Sequence, residues 1–149
     1  MYVMTLQQFL QQDHRACDDL FAVAEQAASG GDLALAKDGF ERFRQAVLRH
    51  FSAEEGMLFP AFEDATGMRM GPTQVMRMEH EQMRAMMNTA AAALAGGDRE
   101  GFLGQVDSLL ITMQQHNMKE ENVLYPMCDQ HLAAAPALLE RLQAALREG

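Results

Sequence analysis

Two stretches of this chain repeat one arrangement of reactive side chains. From His50 to Pro60 the sequence is HFSAEEGMLFP, and from His116 to Pro126 it is HNMKEENVLYP. Each pairs an imidazole with a carboxylate four residues later, His50 with Glu54 and His116 with Glu120. On a helix this spacing places both groups on one face, a turn apart, within reach of one centre. Neutral imidazoles and ionised carboxylates are natural ligands of a transition-metal ion. Two further histidines, His14 and His80, each stand 36 residues before the histidine of a stretch.

The elements that must position these groups follow from the punctuation. A first helix is expected from about Thr5 to Ser29, stopping at Gly30-Gly31, with Asp32 capping a second that runs to about Ala65 and ends near Gly67. Gly71-Pro72 restarts the chain, Pro suiting a first helical turn, and this third helix ends at Gly96-Gly97. Asp98 then caps a fourth that extends to about Gln130, and a short fifth helix follows Pro136 to the C-terminus. Every landmark of the first half recurs 66 residues later: His14 and His80, Gly30 and Gly96, His50 and His116. The sequence therefore predicts an internal repeat of two helical hairpins, spanning about 5–66 and 72–131. With short loops, two hairpins make an all-α, up-down-up-down antiparallel four-helix bundle. Residues 1–149 are expected to form this one domain, and 149 residues suffice to bury a real core.

Each helix carries an apolar stripe in steps of three and four. The stripes read Leu6, Leu10, His14, Cys17, Phe21 in the first helix and Phe43, Val47, His50, Glu54, Met57 in the second. They continue as Met76, His80, Met83, Met87 in the third and Val106, Leu109, Met113, His116, Glu120, Val123 in the fourth. All are apolar except in one band, and at about 1.5 Å of rise per residue the four bands fall at one height. A layer of His14, His50, Glu54, His80, His116 and Glu120 is thus expected inside the bundle. Burying uncompensated carboxylates costs several kcal/mol each, by order of magnitude, and no Lys lies on the stripes to offset it. Bound metal resolves this. Six ligands exceed one tetrahedral zinc site, and suit a pair of ions bridged by two glutamates with two histidines at each end.

These residues resemble the hemerythrin family in its bacterial HHE cation-binding form, over the span from His14 to Pro126. The resemblance implies a non-haem di-iron site, oxo- or hydroxo-bridged, that binds O2, NO or peroxide reversibly. It assigns His14 and His50 to one iron, His80 and His116 to the other, and Glu54 and Glu120 to the bridge. Other divalent metals fit the same side chains. Oxygen carriers of the family have two histidines a turn apart on the third helix. Here Met76 and Arg84 flank His80 instead, which favours a weaker or more reactive site than stable carriage. The family also uses a carboxylate five residues after its last histidine, which would be Glu121; the internal repeat favours Glu120. Three functional readings follow: a binder or sensor of O2, NO, peroxide, iron or redox state, served by a redox partner protein; a di-iron enzyme or iron donor in stress defence and iron–sulfur cluster repair; and an unmetallated helical interaction module.

Other residues receive plainer expectations. Glu55 and Glu121 lie about 100° around the helix from the proposed ligands, in solvated or supporting roles. Phe59-Pro60 and Tyr125-Pro126 pack and bend the helix, with the tyrosine hydroxyl able to donate a hydrogen bond. The methionines fill core gaps, Cys17 is a small buried apolar residue that does not bridge to Cys128, and His131 is a helix-end residue. The net charge of −9 argues against nucleic acid and anionic membranes. No apolar run approaches the roughly 20 residues of a membrane span. The N-terminal MYVMTLQQFLQQDH lacks the features of a signal peptide, so the cytoplasm is the expected compartment.

Overall fold

A computed structural model describes residues 4–133 and 135–147; the expected ends of the domain at 1–3 and 148–149 lie outside them. The elements are helices α1 (Leu6–Ser29), α2 (Leu33–Ala53), α3 (Phe59–Thr66), α4 (Pro72–Ala95), α5 (Arg99–Lys119), α6 (Tyr125–His131) and α7 (Pro136–Arg147). No strand occurs among the described residues. Thr5 starts α1 through a reciprocal capping box with Gln8, and the side chains of Asp32 and Asp98 accept from the backbone N–H groups of Leu35 and Gly101. Gly31 and Gly97 turn the chain between paired helices with φ of 85° and 71°, a left-handed conformation that favours glycine.

Helix α1 packs along α2 and α4 along α5, while α2 meets α4 and α1 meets α5. This is the expected doubled hairpin, closed into an up-down-up-down bundle. Helix α7 folds back against α1 and α2 at the end away from the glycine turns, burying Leu138 and Leu142.

Between α2 and α3, and between α5 and α6, the chain departs from regular helix at Glu54–Leu58 and Glu120–Leu124, each a five-residue π-turn. Their cause is in the sequence. Pro60 and Pro126 have no N–H to bond the carbonyl four residues back, and their rings would clash with it. Widening the preceding turn relieves both problems. The N–H of Phe59 then bonds the carbonyl of Glu54, and that of Tyr125 bonds the carbonyl of Glu120, five residues back in each case. One extra residue per turn also advances the buried stripe by one position. Leu58 and Leu124 are fully buried, whereas Met57 is only partly buried and Val123 is 53% exposed. The expected stripe positions at Met57 and Val123 are therefore corrected to their neighbours.

Two apolar clusters fill the interior. One, toward the glycine turns, includes Phe21, Phe40, Phe43, Met83, Met87 and Phe102. The other, toward α7, includes Leu10, Leu58, Phe59, Phe62, Leu124 and Tyr125. The polar layer lies between them, sealed from both ends. Phe102 meets Phe40 edge-to-face at 5.2 Å and is fully buried. Replacing Phe102 by Ala is expected to cost about 3–5 kcal/mol in denaturant unfolding, with metal uptake unchanged because the cavity opens in the cluster on the glycine-turn side.

Candidate metal centre

The structure brings all six side chains singled out by the sequence into one layer. His14 comes from α1, His50 from α2, His80 from α4 and His116 from α5, while Glu54 and Glu120 open the two π-turns. All six are buried, with the two glutamates and His80 at 0% exposure.

Each imidazole is held from outside by a carboxylate. His14 Nδ1 donates to Glu121 Oε2 and His50 Nδ1 to Asp13 Oδ2, both at 2.7 Å. His80 Nδ1 donates to Glu55 Oε2 at 2.7 Å and His116 Nδ1 to Glu79 Oε1 at 2.8 Å. The pattern obeys the repeat. Asp13 and Glu79 hold the histidine of their own hairpin, and Glu55 and Glu121 hold a histidine of the other. Because an ionised carboxylate only accepts, the proton sits on Nδ1, and every Nε2 turns a lone pair inward.

Inside, those lone pairs face carboxylate oxygens. His80 Nε2 lies 3.1 Å from Glu54 Oε1, and His116 Nε2 lies 3.2 Å from Glu120 Oε1. His14 Nε2 is 3.1 Å from Glu120 Oε1, and His50 Nε2 is 3.6 Å from Glu54 Oε2. Glu54 Oε1, His80 Nε2, His116 Nε2 and Glu120 Oε2 are buried without a hydrogen-bond partner. Among the described residues, the only hydroxyl in the layer is that of Tyr125, which donates to Glu54 Oε2 at 2.6 Å and also lies 2.9 Å from Glu120 Oε1. Acceptor faces acceptor across this centre, and only positive charge between them makes it stable.

Two donor groups converge closely enough for ions. One comprises Glu54, His80, His116 and Glu120; the other comprises His14, His50 and Glu120, with ligand atoms inside each group within 4.8 Å of one another. Glu120 belongs to both. Glu54 spans the same gap, with Oε1 toward His80 and Oε2 toward His50. The donor set thus fits two neighbouring cations sharing two carboxylates.

Metal-free, the layer draws protons instead. Burial opposes charging of His50, yet Glu54 and Asp13 outweigh it and raise the imidazole well above its ordinary range. His14 is raised in the same sense, with burial outweighed by Glu120 and Glu121. Burial likewise opposes His116, and Glu120, Glu54 and Glu79 together bring it up to about 8. Glu54 is pushed up by burial but held well below the carboxylate range by His50 and its other partners.

The family model for the hemerythrin HHE cation binding domain matches residues 5–128. The chain belongs to this family. No curated protein and no solved structure matches it. Membership in the HHE family implies cation binding by the bundle, and the buried His/Glu clusters are the groups able to hold a metal.

In this HHE domain Asp13 and Glu79 escaped the sequence reading, although a signal existed. Each is the acidic residue immediately before a layer histidine, and they stand 66 residues apart. Glu121 lies outside the layer, at His14 Nδ1, so Glu120 is the residue placed between the two histidine pairs. The missing fifth histidine leaves Met76 in the apolar cluster near α7, while Arg84 turns to Glu55. Cys17 and Cys128 are free and buried, and burial with the nearby Asp13 pushes Cys17 up to about 12. His131 ends α6 and is exposed.

The family's two ends differ in this chain. Phe51 stacks on His80 with ring centroids 3.8 Å apart, and Met83 is fully buried in the same apolar cluster as Phe51. Their repeat mates are Asn117 and Cys17, which with His14, His50, Val47, Met113 and Phe51 itself line a cavity of about 10 Å³. That volume accommodates about one water-sized molecule.

Two outcomes are expected. In chelated protein, His116 has a folded-state value above its unfolded one near 6.5. Its stabilisation is complete below pH 6.5 and is lost as pH rises through about 8. The melting temperature of chelated protein therefore falls over that window, whereas metal affinity rises with pH because the imidazoles must be neutral to bind. Second, Asp13→Ala frees the His50 ring and lowers metal affinity about 10–100-fold in chelator competition.

Proposed function

We propose that this chain is a non-haem di-iron protein that binds or senses a small molecule, O2, NO or peroxide, at the His14/His50 end of its layer. One observation carries this reading: eight buried acceptor atoms, four imidazole nitrogens and four carboxylate oxygens, face inward around a single hydroxyl hydrogen. His14 and His50 would hold one iron, His80 and His116 the other, with Glu54 and Glu120 between them. When bound, the iron pair supplies the redox chemistry that attracts a diatomic ligand or peroxide.

The chain's own residues do the rest. Asp13, Glu55, Glu79 and Glu121 fix the ring orientations and strengthen each imidazole as a donor. Phe51 and Phe59 both stack against His80, at 3.8 and 5.6 Å between centroids, and His80 is fully buried. The cavity beside His14 and His50, lined also by Cys17, Phe51 and Asn117, supports ligand entry there. Asn117 also lines an outer recess with Asp18, Gln114, Met118 and Glu121, and so stands between the cavity and solvent. No described helix is long and apolar enough to cross a membrane, and a redox partner protein would exchange electrons with the iron pair.

Protein purified without chelators is expected to contain about two iron ions per chain, the number the paired donor groups accept. Glu54→Ala and Glu120→Ala should each lose most of that iron while keeping the helical circular-dichroism signal. Unchanged iron content in both variants would contradict the proposal, and reduced wild-type protein exposed to O2 or NO should change its absorption spectrum.

A further inference from the structure

We propose that Tyr125 is a seventh protein ligand, its phenolate oxygen binding the metal ion held by His14 and His50. This rests on the di-iron reading above and adds a ligand to it. The hydroxyl oxygen lies 3.1 Å from both His14 Nε2 and His50 Nε2, 2.6 Å from Glu54 Oε2 and 2.9 Å from Glu120 Oε1. Two ligands at right angles, each about 2.1 Å from a shared ion, stand about 3.0 Å apart. Three of the four separations lie within about 0.1 Å of that value, and the contact with Glu54 Oε2 is shorter. The oxygen thus stands among the four donor atoms themselves, close enough to join them in holding one ion.

Two further observations point the same way. The repeat mate of Tyr125 is Phe59, which stacks against His80 at the same 5.6 Å centroid distance that Tyr125 keeps from His14. The two rings share a scaffold position, and only one carries an oxygen, so the added donor belongs to one end alone. The surrounding charges are also unequal. At the His80/His116 end, Glu55 is paired with Arg84 and Glu79 with Lys119. At the other end, among the described residues, neither Asp13 nor Glu121 has a Lys or Arg within 4.0 Å. The His14/His50 end is therefore the more negative, and favours the more highly charged ion. A phenolate is a hard oxygen donor suited to iron(III). Cys17, Val47 and Met113, which line the cavity with His14 and His50, stand on the glycine-turn side of the layer, whereas Tyr125 belongs to the apolar cluster toward α7, so the cavity and the tyrosine approach the two histidines from different sides.

The bond forms as the O–H of Tyr125 breaks, its proton passing to solvent. The test uses the full chain loaded with ferrous iron under nitrogen and then oxidised with ferricyanide, which takes one electron from each iron. Wild-type protein should develop a visible phenolate-to-iron(III) charge-transfer band, with phenolate vibrations enhanced in resonance Raman spectra. Tyr125→Phe, with the same shape, should lose both signals yet retain its iron and helical content. A wild-type protein that holds ferric iron without the band would overturn the tyrosine ligand and leave the di-iron reading standing, as would a band that persists in Tyr125→Phe. Failure of wild-type protein to take up iron would overturn both.

Discussion

The constraint on which this structure depends is an imbalance between acceptors and hydrogens in the buried middle of the bundle. Four imidazole Nε2 atoms and four carboxylate oxygens are packed into one layer, with Nδ1 of every ring already committed outward to Asp13, Glu55, Glu79 or Glu121. Apolar clusters close the layer from both ends of the bundle. Unpaired buried acceptors cost on the order of 1–3 kcal/mol each, so the fold tolerates this arrangement only if cations, or protons in their stead, enter it. The outer carboxylates make the cation the better solution, since they fix each ring with its lone pair inward.

The doubled hairpin explains how so small a chain builds such a layer. Each copy supplies two histidines and one central glutamate, and each gives one outer carboxylate to itself and one to its twin. Duplication alone would give two equal ends. The departures from the repeat make them unequal: Tyr125 for Phe59, Asn117 for Phe51, Cys17 for Met83 and Asp18 for Arg84. The first supplies an oxygen, the next two line the cavity, and the last removes a counter-charge. All four act at the His14/His50 end, so the differences concentrate reactivity there and leave the other end covered by Phe51 and Phe59.

Much of this was legible in the sequence because it was written twice. The 66-residue repeat gave the hairpins, their caps and the height of the polar band, and the His-x-x-x-Glu spacing brought out the residues of the layer. Helical periodicity failed at Met57 and Val123, where a π-turn adds a residue and shifts the phase. Pro60 and Pro126 mark those turns, but a proline in a helical pattern signals a bend as readily as a widened turn. Asp13 and Glu79 lie off the apolar stripe and look like solvated acids until the facing helix is in place. The position of the Tyr125 oxygen was out of reach for the same reason, since it depends on three helices meeting around it.

The central claim is that metal ions occupy this layer, and crystals of iron-loaded protein measured on both sides of the iron absorption edge test it most directly. Anomalous difference maps should show two peaks, one between His14 and His50 and one between His80 and His116, with Glu54 and Glu120 spanning them. A map with no peak in the layer of fully loaded protein, or with iron bound only at surface carboxylates, would contradict it.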